Sequence, residues 1–124
     1  MRLVPSASLG LILVAIGLAA ASPSETVTRK GWFADEKCST ERVRNGRKGP
    51  PGQACTRDCI ARGVKVVFID ERTGALYRVD NPKPTKGIES DYVEVHGTRN
   101  EAAKTVHVDT VRVIETYVAR CSVP

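Results

Sequence analysis

Apolar and polar residues alternate along two segments near the end of the chain, and this alternation constrains the fold more than any other feature. The segments are Tyr92–Thr98 and Thr105–Ile114. Successive side chains of a strand point to opposite faces, so each segment predicts a strand with one buried and one exposed face. In the second segment the apolar positions change parity between Val108 and Val111. A β-bulge near Asp109-Thr110 would absorb this shift of one residue.

Three further strands and one short helix are predicted upstream. They are strands at Val27–Glu36, Val64–Ile69 and Ala75–Val79, and a helix at Ala54–Arg62. Gly63 suits the left-handed residue that ends a helix, and Gly74 suits the positive-φ position of a bulged hairpin turn. The segment from Cys38 to Gln53 has no apolar periodicity and contains Gly49-Pro50-Pro51-Gly52. It is therefore predicted to be an irregular loop.

These elements predict a mainly β fold. About five strands and one short helix share about 100 residues, which is enough for a single domain with a modest core. A small barrel, closed or partly open, leaves fewer strand edges unpaired than an open sheet of the same size. We therefore expect a small β-barrel.

The start of the chain has the three-part pattern of a secretory signal peptide. Arg2 is followed by an apolar run from Leu9 to Ala21, and small residues close the run as Ala19-Ala20-Ala21-Ser22. The run is shorter than the ~20 residues that span a bilayer. We predict a signal peptide at residues 1–21, a polar lead-in at 22–30 and one domain at 31–124. The protein should be periplasmic or secreted, with no membrane anchor after cleavage.

The predicted mature chain has a small excess of positive charge. Without the leader it keeps 18 basic and 14 acidic residues, a net charge of +4. The densest basic patch is Arg42, Arg44, Arg47 and Lys48, inside the predicted loop. An anionic partner could bind there, although a solvated flexible loop would have the same composition. Nucleic acid is not expected as a partner outside the cytoplasm.

Four cysteines lie in the predicted mature chain: Cys38, Cys55, Cys59 and Cys121. An even number in a small exported domain predicts two disulfides. A bond between Cys55 and Cys59 is disfavoured because their Cβ vectors run side by side along the predicted helix. Two pairings stay open: Cys38–Cys55 with Cys59–Cys121, or Cys38–Cys59 with Cys55–Cys121. The i,i+4 pair Cys55/Cys59 could instead bind a thiophilic metal such as Cu(I).

A second candidate metal site lies on the two C-terminal strands. Its four side chains are those of Glu94, His96, His107 and Asp109. If Val95 pairs with Val108, the two histidines lie opposite each other and so do the two carboxylates. Their Cβ atoms would then be about 5 Å apart. Two imidazoles and two carboxylates suit Zn²⁺ or Cu²⁺.

The segment Gly31-Trp32-Phe33-Ala34-Asp35-Glu36-Lys37-Cys38 resembles the opening of a family of small exported bacterial domains of unknown function. Further matches, in the same order, are Cys55-x-x-x-Cys59-Ile60-x-x-Gly63, Tyr77-Arg78-Val79 with Asp80-Asn81, Val93-x-Val95-x-Gly97 and Val106-x-Val108. The resemblance covers Gly31 to Val111. It implies a barrel like the oligonucleotide/oligosaccharide-binding (OB) fold and no established activity. The basic loop after Cys38 and the C-terminal Cys121 depart from the family pattern.

No motif predicts an enzyme, since the chain has no nucleophile elbow, phosphate-binding glycine loop or paired zinc-finger spacing. We expect a monomeric binding or interaction module of the cell envelope, with an unidentified ligand or envelope partner and no required cofactor. Trp32 and Phe33 could form a stacking platform, although at least one of them is expected in the core. The alternative is a metal-handling or thiol-redox protein that uses Cys55/Cys59 or His96/His107 and binds Zn or Cu.

Overall fold

A computed structural model describes residues 23–118, together with residues 2, 3, 10 and 17. Most of the predicted signal peptide, and Cys121, lie outside the described residues. The elements are β1 Ser24–Asp35, α1 Glu36–Arg44, α2 Gln53–Ala61, β2 Val66–Asp70, β3 Leu76–Val79, a 3₁₀ turn Lys83–Thr85, β4 Tyr92–Asn100 and β5 Thr105–Glu115. Within this part of the chain, none of the helices has the length and apolarity that a bilayer crossing requires.

The five strands form a closed barrel in the order β1-β2-β3-β5-β4, and β4 pairs back with β1. All neighbours are antiparallel except β3 and β5, which are parallel. This order is that of an OB-like barrel. The prediction of a small, mainly β barrel is therefore confirmed.

Strand β1 is longer than predicted because it serves two neighbours. Its first half, Ser24–Gly31, pairs with β4, and its second half, Gly31–Asp35, pairs with β2. The predicted strand began at Val27 and the polar lead-in was assigned to residues 22–30, so the structure adds residues 24–26 to the strand and includes 27–30 in the barrel. Residues 24–26 are polar and exposed and carry no strand signal, whereas Val27 faces inward.

The predicted bulge in β5 is confirmed. Gly97 pairs with Val108, and the preceding residue, His96, pairs with Thr110. Asp109 is the extra residue between these two pairs. It lets the apolar face of β5 continue at Val111, which packs against the core.

The core fills the barrel with side chains from all five strands. Its buried members are Phe33, Val66, Phe68, Tyr77, Val79, Val93, Val95, Val106 and Val108. The rings of Phe33 and Phe68 lie 5.6 Å apart between centroids. Ile60 of α2 packs against this cluster, so α2 covers part of the barrel interior. The left-handed glycines expected after α2 and in the β2–β3 turn, Gly63 and Gly74, have φ values of 95° and 73°.

Helix α1 corrects the prediction of an irregular loop from Cys38 to Gln53. Its N-cap is Asp35, whose Oδ2 accepts a hydrogen bond of 2.9 Å from the Cys38 backbone N–H. Only Ser39 of the helix is buried, so the helix shows no apolar stripe in the sequence. Of the predicted loop, only residues 45–52 are irregular.

Candidate functional site

A groove of about 290 Å³ lies between α1, the loop that follows it and the β2–β3 turn. Trp32 and Ile69, which face each other across β1 and β2, line it together with Val43 of α1. The Trp32 ring is 5.5 Å from that of Tyr92. The Tyr92 hydroxyl donates a hydrogen bond to Glu71, which holds the second ring in place and raises the pKa of Tyr92 to about 12.

Three cations line the groove without forming an ion pair with any residue of the described chain: Arg47, Lys48 and Arg72. The two acidic residues there are already engaged. Asp70 accepts a hydrogen bond from the Arg72 backbone and lies 3.7 Å from Arg29, and Glu71 accepts from Tyr92. Three cations line the groove against two acids, of which Asp70 also lies beside Arg29, so the groove has a net positive charge beside an apolar surface.

The groove also contains an unused hydroxyl. Ser39 lines it and is 1% exposed, and its Oγ has no hydrogen-bond partner within the described residues. A buried hydroxyl without a partner is energetically unfavourable. A polar group of a ligand bound in the groove could satisfy it.

The basic loop after α1 is held in place rather than loosely solvated. The Arg42 guanidinium donates to the carbonyl oxygens of Gly49 at 3.3 Å and Lys48 at 3.2 Å. The backbone N–H of Arg47 donates to the carbonyl of Arg42 at 2.9 Å. These bonds place two of the basic residues identified in the sequence, Arg47 and Lys48, at the groove.

The aromatic surface extends beyond the groove. A wider depression of about 620 Å³ shares Trp32 and Glu71 with it and is also lined by Tyr92 and Tyr117. Phe33 is fully buried in the core, whereas Trp32 is partly exposed. Of the two residues considered for a stacking platform, only Trp32 is therefore accessible to a ligand.

A thiol–carboxylate cluster lies where β1, α1 and α2 meet. Asp35 ends β1, Cys38 lies in the first turn of α1, and Cys59 lies in α2. The two sulfurs and a carboxylate oxygen lie within 4.8 Å of one another. In the described part of the chain this is the only group of three histidine, cysteine or acidic ligands so close together.

Asp35 is the member of this cluster that sequence reasoning missed. It is fully buried; its Oδ2 caps α1, while its Oδ1 has no hydrogen-bond partner within the described chain. The spacing Asp-x-x-Cys could have indicated it, because an N-cap aspartate bonds the backbone three residues later.

Burial raises the pKa of the Cys38 thiol to about 12, and the nearby Asp35 carboxylate and Cys59 add to the increase. In the metal-free dithiol protein, Cys38 is therefore protonated at neutral pH. A raised thiol pKa lowers the fraction of thiolate, which is the reactive form of cysteine.

The structure separates the cysteines into two environments. Cys38 and Cys59 lie in the cluster and are partly buried, whereas Cys55 is exposed and lies outside it. Within the described residues, none of these three cysteines forms a disulfide with another. The Cys55/Cys59 pair singled out from the sequence is thus divided, and Cys59 lies with Cys38 instead.

The predicted pairing of Val95 with Val108 is wrong, because Val95 lies opposite Val111. The observed register of β5 differs from the predicted one by two residues before the bulge at Asp109 and by three after it. Directly opposed residues share a face of the sheet, so a shift of this size moves every cross-strand neighbour.

The correct register separates the two histidines. His96 lies opposite Thr110. Its Nδ1 shares a 2.8 Å hydrogen bond with the Thr28 hydroxyl, and its Nε2 is 3.4 Å from a carboxylate oxygen of Glu94. His107 lies opposite Thr98, and its Nδ1 is 2.7 Å from Asp80. The proposal of a Zn²⁺ or Cu²⁺ site shared by Glu94, His96, His107 and Asp109 thereby loses its geometric basis.

Alkylation of the reduced, metal-free protein should distinguish the cysteine environments. At about pH 8 we expect iodoacetamide to label Cys55 about 100-fold faster than Cys38. At this pH a thiol of high pKa is almost fully protonated, which slows its alkylation. The thiolate of such a thiol is more nucleophilic, but this offsets only part of the loss in rate. Peptide mass spectrometry over time gives both rates, and labelling in denaturant should abolish the difference. Equal rates in the folded protein would contradict the burial of Cys38.

The fold and these sites define a small OB-like barrel with a cationic, aromatic-lined groove and a separate thiol–carboxylate cluster. Comparison with protein-family models, curated proteins and solved structures found no match for this chain. One fold supports many functions, so the chemistry of the sites, rather than the fold, indicates the function.

Proposed function

We propose that this chain is an exported binding module of the cell envelope whose groove binds an anionic ligand with a flat apolar body. The observation that carries the proposal is the three cations, unpaired within the described residues, that line the groove together with the partly exposed Trp32. Export is supported by the signal-peptide pattern of residues 1–21. Membership of the exported-domain family suggested by the motifs is part of the same proposal.

The groove offers three kinds of contact to such a ligand. Trp32 and Ile69 provide an apolar surface for a flat ring. Arg47, Lys48 and Arg72 attract and orient a negative group. The volume of about 290 Å³ is close to the lower end for small-molecule sites, about 300 Å³. A ligand of one or two rings with a carboxylate, sulfonate or phosphate matches all three features.

Anilinonaphthalene sulfonate is a suitable probe, and its neutral analogue N-phenyl-1-naphthylamine is a matched reference. Trp32 is the only tryptophan and lines both the groove and the wider depression, so quenching of its fluorescence reports binding on this face of the barrel. We expect the double substitution Arg47→Glu/Lys48→Glu to weaken binding of the sulfonate about tenfold, since each exposed charge pair contributes up to about 1 kcal/mol. The affinity for the neutral analogue should change little.

The control is Lys83→Glu/Lys86→Glu, which makes the same change in net charge at residues that do not line the groove. It should leave both affinities close to those of the unmodified protein. If the two double variants weaken sulfonate binding equally, only net charge matters. The groove would then not be the binding site.

In its oxidised form we propose that the protein contains a Cys38–Cys59 disulfide. The proximity of the two thiols supports this one of the two pairings predicted from the sequence. Cys55 would then pair with Cys121. A bond between the first turn of α1 and α2 would fix α1, which lines the groove, to α2.

Metal handling is the second candidate function. It is supported by the unpaired buried carboxylate oxygen of Asp35 beside two thiols, rather than by Cys55 or the histidines. The two functions use different surfaces, so neither depends on the other.

A further inference from the structure

We infer that the dithiol form of the protein binds one Zn²⁺ ion through the sulfurs of Cys38 and Cys59 and the carboxylate of Asp35. This site is separate from the groove and does not rest on the groove's proposed function. Three observations support it: the unpaired oxygen of Asp35, the chemistry of the ligands, and the elements that hold them.

The first is the environment of Asp35. Its side chain is fully buried, its Oδ1 has no N–H or O–H donor within the described residues, and the nearby Cys38 thiol is only a weak donor. Burial of a carboxylate is costly unless it is paired with a cation or fully hydrogen-bonded. A buried unsatisfied oxygen of this kind is a common sign of an ion or water that completes the site. A cation between the carboxylate and the sulfurs would meet this need.

The second is the set of ligands. Zn²⁺ binds cysteine thiolates and aspartate oxygens in the same site, whereas Mg²⁺ and Ca²⁺ prefer oxygen ligands alone. Cu(I) favours the two sulfurs but makes no use of the carboxylate. Three protein ligands also leave the fourth tetrahedral position of Zn²⁺ open to water. The mixed set of two sulfurs and one carboxylate therefore fits Zn²⁺ best.

The third is the rigidity of the ligand positions. Asp35 is held at the end of β1 by pairing with Val66 of β2, and its Oδ2 accepts the backbone N–H of Cys38. Cys59 is fixed because the neighbouring Ile60 packs against the barrel core. The hydrogen bond from Cys38 also orients the carboxylate, as outer contacts of metal ligands commonly do. Little rearrangement is needed for the three atoms to converge on one ion.

The test is zinc titration of the full mature chain, kept reduced with a phosphine and stripped of metal, in competition with a chromophoric chelator. We expect one equivalent to bind. Cys38→Ser and Asp35→Asn should each weaken binding at least about tenfold, the lower range for residues around a metal site. Asparagine caps a helix as well as aspartate does, so Asp35→Asn removes the charge and keeps α1. Cys55→Ser and His96→Ala are matched controls that should bind as the unmodified protein does.

Cobalt provides a second readout that needs no variant to fold. Co²⁺ at this site should show thiolate-to-cobalt charge-transfer absorption, which added Zn²⁺ removes. Oxidation to the Cys38–Cys59 disulfide should abolish binding, because both thiolate ligands are lost. Three results would overturn the inference: no binding by the reduced protein, no thiolate band with Co²⁺, or equal affinity in Asp35→Asn, Cys38→Ser and the unmodified chain. None of these results bears on the groove.

Discussion

Replacing Gly31 with alanine is expected to destabilise the barrel by at least about 3 kcal/mol. Gly31 is the residue at which β1 passes from one neighbour to the other, and it pairs with both Asp70 and Val93. A Cβ atom there would lie 1.8 Å from the backbone oxygen of Ile69 and 3.0 Å from the ring of Phe68. The first distance is far below van der Waals contact and involves backbone, so the strands must separate to relieve it.

Urea unfolding followed by circular dichroism measures this loss of stability. Gly52→Ala is the matched control, because a Cβ there meets only the Tyr117 hydroxyl at 3.8 Å, an ordinary contact. As Gly52 is the N-cap of α2, this control should cost no more than about 1 kcal/mol. If the two substitutions had equal effects, the close approach of β1 and β2 at Gly31 would be refuted.

Asn81→Ala is expected to lower the free energy of unfolding by about 2–4 kcal/mol, from two lost hydrogen bonds and the buried groups left without partners. The Asn81 amide donates to the carbonyl of Val108 at 2.7 Å, and its oxygen accepts from the N–H of Val108 at 2.8 Å. The side chain thus imitates a strand residue and extends the short parallel pairing of β3 with β5. It does so directly beside the bulge at Asp109.

Amide hydrogen exchange under native conditions localises this effect. The N–H of Val108 should exchange faster in Asn81→Ala than in the unmodified protein, under conditions in which neither protein unfolds globally. Asn45→Ala is the control, because Asn45 is exposed at the end of α1. We expect it to change stability by less than about 0.5 kcal/mol. An unchanged exchange rate at Val108 would show that the Asn81 side chain does not hold β5.

The strands were predictable because their signals are local. Period-two alternation located β4 and β5, and the parity change after Val108 located the bulge. Gly63 and Gly74 were predictable because positive φ strongly favours glycine. Each of these signals lies within a few neighbouring residues, so it can be read without knowing which segments meet in space.

Helix α1 and the first three residues of β1 were missed for the opposite reason. The stability of α1 depends on its cap at Asp35 and on one small buried residue, Ser39, rather than on an apolar stripe. Residues 24–26 form part of a strand because β4 offers them a partner, although none of them is buried. Neither element carries a pattern strong enough to be recognised alone.

The sequence by itself determined the architecture: a small domain of about five strands, the positions of the turns, and the basic residues after α1. Only the tertiary structure decided the sites. The register of β4 against β5 separated His96 from His107, and the packing of α2 on the barrel brought Cys59 to Asp35 and Cys38. The physical reason is that backbone propensity and burial patterns are set by nearby residues, whereas site geometry depends on strand register and helix docking, which long-range contacts set.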